Sequence, residues 1–461
     1  MMDLFLSNTL SGKKERFVPI QEGKVSFYLC GVTVYDVCHI GHARAYVAFD
    51  TIRRYLTHLG YQVKFIQNFT DIDDKIIKKA NEVDLPVNDI TSKYIEAYFN
   101  DMRALNIKDA TAYPHATHYV SQMIEIIEKL IDKGHAYVAG GDVCFSVPSF
   151  KDYGKLSKKI LEDLIAGSRV DISHSKQNPM DFVLWKSAKP GEPSWPSPWG
   201  DGRPGWHIEC SAMVLHELGE TIDIHAGGAD LVFPHHENEI AQSECLTGKP
   251  LAKYWLHNGF VTIQSEKMSK SLKNIISIQE ILKRVSGDVL RFYLLKAHYK
   301  TPLHFSYEGL EEAQNAYQRL VDTIKNNPES NHSQLPEESI QKEVVDLEAK
   351  FHKAMCDDFN SAEAIGYLFE LTKIINSTGH FHNILKNSGQ LLGLFSQSIL
   401  EDDVFSKEVL QLVEDRAKAK AQKEFAKSDT IRNQLIEVHG VTIEDTPSGG
   451  RLKRIRRTTA S

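Results

Sequence analysis

Two histidines, His39 and His42, flank Ile40-Gly41 in a motif that could bind phosphate. The motif follows an apolar run typical of a strand and precedes an amphipathic stretch, which places it at the start of a helix. A helix start offers unpaired N–H groups and a partial positive charge to a phosphate. Gly41 leaves the backbone open to a nucleotide because it has no Cβ. The two imidazoles are therefore candidates to donate hydrogen bonds to phosphate oxygens as charge develops.

A second motif, Lys267-Met268-Ser269-Lys270-Ser271, lies in a stretch rich in Ser, Gln and Lys. Its two lysines could close over a triphosphate and neutralise a leaving pyrophosphate. Taken alone, such a motif is more often a solvated lysine loop, and a lone His-x-Gly-His often arises by chance. In this order, the two motifs resemble the signature of class I aminoacyl-tRNA synthetases, whose Rossmann-type domain binds ATP at the carboxyl ends of its strands. The resemblance implies ATP contacts by His39, Gly41, His42, Lys267, Met268, Ser269 and Lys270.

Four further residues, Cys30, Cys210, His235 and Glu239, could form a metal site. His235 and Glu239 are four apart, so a helix would project both from one face. Two thiolates, an imidazole and a carboxylate make a plausible zinc set. The spacing alone is weak support, because there is no Cys-x-x-Cys and a buried cysteine is usually a small apolar filler. His236, three residues before Glu239, competes with His235 for the ligand role.

Longer segments are similar to the cysteinyl-tRNA synthetase family over essentially the whole chain. They are the segments 30–36, 69–76, 204–213, 233–239 and 357–360. In that family the positions matching Cys30, Cys210, His235 and Glu239 hold Zn²⁺, and the substrate thiolate joins as a further ligand. The positions matching Thr33, Trp206 and His225 enclose the substrate. The resemblance therefore implies one zinc ion per chain, besides the Mg²⁺ that accompanies ATP.

The implied reaction has two steps: L-cysteine and ATP give cysteinyl-adenylate, and the cysteinyl group passes to the terminal adenosine of tRNA(Cys). No covalent enzyme intermediate is required. Four residues would act catalytically by positioning and charge stabilisation: His39, His42, Lys267 and Lys270. A zinc–thiolate bond would separate cysteine from serine by chemistry rather than by size. Because this bond could supply the discrimination, no editing domain is expected, and the short stretch between about 120 and 190 is consistent with that.

The elements that must position these residues follow from hydrophobic periodicity. Residues 25–29, 63–66 and 221–224 have the apolar runs of buried strands. Between the first two, apolar side chains recur at helical spacing from Tyr46 to Leu59, and Gly60 is a plausible end. Strand, helix and strand in this order predict an α/β fold with a Rossmann-type parallel sheet.

A polar, proline-bounded stretch over 326–336 is the best domain boundary. It predicts a catalytic domain over 1–325, with a connective insertion at about 120–190 and the lysine-motif region at about 260–325. A helical anticodon-binding domain over 336–400 and a small tRNA-recognition unit over 401–461 would follow. In the last unit, Phe425 and Asp429 are implied tRNA contacts. Phe425 replaces a frequent tryptophan but can still stack on a base, whereas Lys420 replaces a frequent arginine and cannot copy its bidentate geometry.

Composition narrows the setting. The chain has 461 residues, 25% of them charged, and no apolar run of the about 18–20 residues needed to span a bilayer. We expect a cytoplasmic monomer with no membrane or DNA partner. Six scattered cysteines are not a disulfide framework. The net charge of -7 argues against an extensively basic surface but leaves room for a local basic stripe.

Secondary expectations concern neighbouring residues. Cys38, Cys144, Cys245 and Cys356 are expected to pack as apolar side chains. Asp71 is expected to cap the helix that follows it, and Glu209 is a candidate to support the ligand Cys210.

Three alternatives remain open. A cysteine ligase of the same family could pass cysteine to an amino-sugar, but it would have no use for residues 336–461. A catalytically silent paralogue could bind tRNA, although both ATP motifs and the metal set are intact. A nucleotidyltransferase of the same superfold shares His-x-Gly-His but not the metal set.

Overall fold

A computed structural model describes residues 2–159, 176–263, 266–267, 275–327, 336–396, 407–446 and 449–454. The chain forms two compact units, Met1–Leu394 and Phe395–Ser461. No helix in these described ranges is long and apolar enough to cross a membrane.

The first unit contains most of the elements. Its strands are β1 (Phe5–Asn8), β2 (Lys13–Arg16), β3 (Lys24–Thr33), β4 (Gln62–Thr70), β5 (Ala136–Ala139), β6 (Asp142–Phe145), β7 (Phe182–Ser187), β8 (Gly202–Pro204), β9 (Ile222–Gly228), β10 (Ala252–Asn258), β11 (Val261–Ile263), β12 (Glu266–Lys267) and β13 (Leu303–Phe305). Its helices are α1 (Ile40–His58), α2 (Asp74–Val83), α3 (Val87–Ala104), α4 (Val120–Asp132), α5 (Trp206–Leu218), α6 (Glu237–Thr247), α7 (Ile278–Leu282), α8 (Gly287–Leu295), α9 (Tyr307–Asn326), α10 (Glu338–Cys356), α11 (Ser361–Thr378) and α12 (His382–Leu391).

The second unit is a helical pair with a hairpin. Its elements are α13 (Lys407–Ala421), α14 (Phe425–Glu437), β14 (Val441–Thr446) and β15 (Gly449–Arg454). Val409, Ile431, Leu435, Val441 and Ile443 form its small core.

The central sheet of the first unit has the order β10-β9-β3-β4, and each neighbouring pair is parallel. From β3 the chain passes through α1 to β4 on one side, while β9 lies on the other side. The strand order therefore reverses between β3 and β9, which is where doubly wound sheets open a ligand crevice. The predicted strands and the predicted parallel α/β sheet are confirmed.

Two smaller sheets adjoin this core. An antiparallel sheet with the order β5-β6-β7-β8 occupies much of the predicted insertion, and β11 joins β12 and β13. The predicted capping role of Asp71 is wrong: Asp73 caps α2 by accepting from the Lys75 N–H. Asp71 instead accepts from the backbone and the hydroxyl of Thr117 at 2.9 and 2.6 Å.

Beyond residue 336 the predicted helices are present as α10–α12, which we call the helical module. These helices belong to the same compact unit as the sheet. The division into domains over 1–325, 336–400 and 401–461 therefore stays a prediction from the sequence.

One close backbone approach shapes the carboxyl end of β3. The register against β4 shifts between Leu29 and Val32, and Gly31 N–H donates to Asn68 Oδ1 at 2.8 Å. A Cβ at Gly31 would lie 1.6 Å from the carbonyl oxygen of Asn68. Only glycine fits this position, which follows Cys30 directly.

We expect Gly31→Ala to lower the free energy of unfolding by about 1–3 kcal/mol, because two backbones must move apart. Denaturant unfolding would measure it. Gly366→Ala is the matched control, since a Cβ in that part of α11 meets nothing within 4 Å and alanine favours a helix by about 1 kcal/mol. Equal unfolding midpoints for Gly31→Ala and the unmodified chain would contradict the close approach.

Asp101 of α3 is buried, and burial raises the pKa of its carboxyl to about 6. Because its pKa is raised, the buried Asp101 carboxylate is ionised above about pH 6 and destabilises the folded state there, whereas below about pH 4 the carboxyl is neutral and this destabilisation is absent. Asp101→Asn should therefore raise the melting temperature at pH 7.5 and leave it nearly unchanged at pH 4. Asp89→Asn, at an exposed position of the same helix, should show no such pH dependence. A melting-temperature gain for Asp101→Asn that is equal at both pH values would refute this.

Candidate active site and metal centre

A cavity of about 330 Å³ opens at the carboxyl ends of β3, β9 and β10. Its walls come from the end of β3, the start of α1 and the loops after β9 and β10. Cys30 and Trp206 line one part, and His39 and His42 line another. The cavity thus connects the predicted metal ligands with the predicted phosphate-binding histidines.

The two histidines at the start of α1 form a reciprocal cap. His39 Nδ1 accepts from the N–H groups of Gly41 and His42 at 3.1 and 3.4 Å, and His42 Nδ1 accepts from His39 N–H at 3.2 Å. Their rings stack with centroids 3.7 Å apart. Because backbone N–H groups are the donors to both Nδ1 atoms, the neutral rings carry their proton on Nε2. Both Nε2 atoms are therefore hydrogen-bond donors.

The lysine motif begins beside the same cavity. Lys267 lies in β12, where it pairs with Thr262 of β11, and the preceding residue Val261 lines the cavity. The predicted ATP contacts Met268, Ser269 and Lys270 lie outside the described residues.

Cys30, Cys210, His235 and Glu239 converge although three segments supply them. Their ligand atoms all lie within 4.8 Å of one another, and all four residues are buried. The two sulfur atoms are 3.9 Å apart, Cys30 Sγ is 3.6 Å from Glu239 Oε1, and His235 Nε2 is 3.0 Å from the same oxygen. Cys30 comes from β3 and Cys210 from α5, while His235 lies two residues before α6, which carries Glu239.

A second set of ligand atoms shares two members with the first. Cys30, His225, His236 and Glu239 also lie within 4.8 Å of one another. His236 Nε2 is 3.2 Å from Cys30 Sγ, but its Nδ1 is hydrogen-bonded to His257 Nε2 at 2.7 Å. The first set alone has two sulfur ligands, and this composition is typical of zinc.

The charges in this cluster depend on one another. The Cys30 thiol, which donates to Cys210, lowers the pKa of Cys210 to about 6 in spite of burial. Burial and Cys210 hold the pKa of Cys30 well above its usual range. Burial would lower the pKa of His235, but Glu239 and Cys210 outweigh it and raise the value to about 10.

Glu239 stays ionised in the same way. Burial would raise its pKa, but His225 and His235 outweigh burial and lower the pKa to about 2. Two sulfurs, one nitrogen and one carboxylate oxygen, with negative charge on at least two of them, are a donor set that fits a borderline-soft divalent cation.

The residues predicted to enclose the substrate occupy different positions. Thr33 and Trp206 line the cavity, and the Trp206 ring, 39% exposed, stacks on His235 with centroids 4.3 Å apart. His225 is fully buried and is hydrogen-bonded through Nε2 to Glu239 Oε2 at 2.8 Å, so it directly contacts this candidate metal ligand. Glu209 accepts from the Thr70 hydroxyl at 2.9 Å.

The predicted tRNA contacts lie in the second unit. Phe425 and Asp429 are four residues apart on α14, and both side chains are exposed. Phe425 is 62% exposed, which leaves its ring accessible for stacking.

Three residues that lie around the site were not predicted from the sequence. His257, at the end of β10, is hydrogen-bonded to His236, while Asp230 and Asn258 line the cavity. Gly227-Gly228 before Asp230 was an available signal, because paired glycines at the end of a strand permit close approach to a ligand. No local pattern marked His257.

Comparisons with known proteins agree with this geometry. Residues 16–315 match the family model "tRNA synthetases class I (C) catalytic domain", and residues 350–396 match the DALR domain. The cysteine–tRNA ligase of Caldicellulosiruptor saccharolyticus is 48% identical over 467 residues, which cover 98% of this chain and 100% of the relative. That of Legionella pneumophila is 47% identical and covers 98% and 99%. The chain belongs to the cysteine–tRNA ligase family.

Solved structures of other class I synthetases share the fold of this cysteine–tRNA ligase family member. Mycobacterium tuberculosis methionyl-tRNA synthetase in complex with methionyl-adenylate has a TM-score of 0.59 at 14% identity, covering 82% of this chain and 86% of its own. The Agrobacterium radiobacter K84 LeuRS–tRNA–LeuAMS complex has a TM-score of 0.59 at 12% identity, covering 84% and 85%. The predicted family and the predicted class I fold with a helical domain are confirmed.

Proposed function

We propose that this chain activates L-cysteine with ATP and transfers it to tRNA(Cys) in the cytoplasm, with one zinc ion recognising the thiol. The observation that carries the proposal is the single cavity that reaches both Cys30 and the two histidines of α1. Cysteinyl-adenylate, the proposed intermediate, has a thiol at one end and a phosphate near the other. The cavity offers a sulfur-rich cluster to the first and imidazole donors to the second.

In the activation step, the cysteine carboxylate attacks the α-phosphorus of Mg-ATP and pyrophosphate leaves. His39 and His42 donate through Nε2 to phosphate oxygens as charge develops. Lys267 and Lys270 neutralise the pyrophosphate. In the second step, the terminal adenosine hydroxyl of tRNA(Cys) attacks the carbonyl carbon and AMP leaves, so no side chain becomes acylated.

Selection of cysteine over serine is assigned to the metal centre. Cys30, Cys210, His235 and Glu239 would hold Zn²⁺, which supplies a Lewis acid with a strong preference for thiolate over hydroxyl. An accuracy of about 10⁴–10⁵ corresponds to about 5.5–7 kcal/mol. Thr33 and Trp206 would enclose the substrate, and His225 would hold the Glu239 carboxylate in place.

The remaining modules are assigned to tRNA. We propose that residues 336–400 bind the anticodon arm and that residues 401–461 complete its recognition. Exposed Phe425 could stack on a base, and Asp429 could accept from base amino groups.

The decisive test is charging of a tRNA transcript with a GCA anticodon, using ATP, magnesium and either cysteine or serine. We expect charging with cysteine only. Cysteine-dependent pyrophosphate exchange without charging would favour the amino-sugar ligase. Neither activity would indicate a catalytically silent paralogue.

The zinc assignment predicts the behaviour of Cys210→Ser. Loss of a thiolate ligand should reduce the zinc content to well below one per chain and lower cysteine-dependent pyrophosphate exchange by at least about 100-fold. ATP binding should change little, because the phosphate donors are on α1. Cys144→Ser, an equally buried cysteine of β6, should keep both metal and activity. Unchanged metal content in Cys210→Ser would contradict the assignment of Cys210 as a zinc ligand.

A further inference from the structure

The turn between α10 and α11 has an unusual backbone. Asp358 and Phe359 both have positive φ, 61° and 53°, although neither is glycine. Consecutive residues in this left-handed region persist only where the surrounding contacts fix them. Asp358 is 4% exposed, so those contacts are internal.

The side chain of Asp358 binds the first strand of the chain. Its two carboxylate oxygens accept from Ser7 N–H at 2.7 Å and from the Ser7 hydroxyl at 2.6 Å. Its own N–H donates to the carbonyl oxygen of Phe5 at 2.9 Å. The turn is thereby attached to β1.

Asp358 also binds the segment that follows α8. The Tyr299 hydroxyl donates to Asp358 Oδ1 at 2.9 Å. His298 Nε2 donates to the Asp358 carbonyl oxygen at 2.9 Å, and this tautomer is fixed because His298 Nδ1 accepts from Lys300 N–H. Within the described residues, every polar atom of Asp358 is thus bonded outside the two helices that it joins.

The segment after α8 is also attached to α1. Arg44, two residues after His42, is fully buried. Its guanidinium donates to the carbonyl oxygens of His298 at 2.6 Å and of Thr301 at 3.3 Å. Hydrogen bonds therefore run without interruption from α1 through His298 to Asp358.

We propose that Asp358 is a positioning residue that fixes the helical module relative to the cavity, so that a tRNA held by the module presents its terminal adenosine to the adenylate. This inference rests on the proposed function. Other bonds keep the module attached when Asp358 is replaced. The Tyr55 hydroxyl donates to the His352 carbonyl oxygen at 3.1 Å, and Arg291 Nε donates to the Leu392 carbonyl oxygen at 2.7 Å. Replacement of Asp358 should therefore alter the angle of the module without unfolding it.

Asp358→Gly is the informative variant, because glycine adopts the left-handed backbone freely. It keeps the backbone bonds to Phe5 and His298 and loses only the carboxylate bonds to Ser7 and Tyr299. Asp358→Asn keeps Oδ1 as the acceptor for Ser7 N–H and the Tyr299 hydroxyl, and its Nδ2 can donate to the Ser7 hydroxyl oxygen, so this variant should retain function. Asp357→Ala removes the neighbouring acid, which is half exposed and paired with Lys14 at the surface. Each variant would be measured with full-length tRNA(Cys), with an acceptor-stem minihelix that lacks the anticodon arm, and in cysteine-dependent pyrophosphate exchange.

For Asp358→Gly we expect kcat/KM for the full tRNA to fall about 10- to 100-fold, as small misplacements of reacting groups do. Pyrophosphate exchange and minihelix charging should stay within about twofold of the unmodified chain. Asp358→Asn and Asp357→Ala should retain full-tRNA charging. Unchanged full-tRNA charging in Asp358→Gly would overturn the inference, and so would an equal fall in all three assays, which marks a general structural role. Failure of the unmodified chain in exchange and charging would instead overturn the proposed function.

Discussion

The first unit depends on one constraint, the burial of four polar side chains in a single cluster. Two thiols, an imidazole and a carboxylate lie there with their ligand atoms within 4.8 Å of one another. Removing a charged group from water costs several kcal/mol of folding free energy unless oppositely charged or hydrogen-bonding partners are well placed around it. Much of the nearby sequence serves that placement. Gly31 lets β3 approach β4 behind Cys30, and Gly227 leaves room for the His236 ring, which a Cβ would meet at 2.8 Å. His225 and His235 together keep Glu239 ionised.

The same strand also sets the distance between the two chemical centres. Cys30 lies near the carboxyl end of β3, and His39 caps α1 nine residues later. A short loop at the switch point of the sheet separates them, so the candidate metal cluster and the histidines of α1 belong to one strand–loop–helix unit. Because the unit is built into a parallel sheet covered by helices, neither end can shift without disturbing buried backbone hydrogen bonds. In the proposed function, selection of the amino acid and activation of its carboxylate would therefore be geometrically linked.

Local patterns predicted the parts of this design that local physics determines. The strands and α1 follow from periodicity, the four-residue spacing of His235 and Glu239 brings their side chains together, and the His39–His42 motif stands at the start of α1. Residues that act through tertiary contacts were harder to assign. His225 bonds to Glu239. Asp71 bonds to Thr117 while Asp73 caps α2. Sequence spacing does not show which distant donor or acceptor lies near such residues. The inclusion of α10–α12 in the catalytic unit likewise depends on buried contacts such as that of Arg291 with Leu392, which no sequence pattern reveals.

Helix α1 connects these levels of organisation. Its 19 residues span about 28 Å, with the cavity-lining His42 at one end and Tyr55 bonded to His352 of α10 at the other. Arg44 fixes its first turns to the carbonyls after α8. A helix held at both ends and along its side behaves as a rigid strut, so the cavity and the helical module share one reference element. Such an arrangement lets an enzyme read a distant part of a large substrate while its reacting groups remain aligned, because the alignment is stored in packed backbone and not in mobile loops.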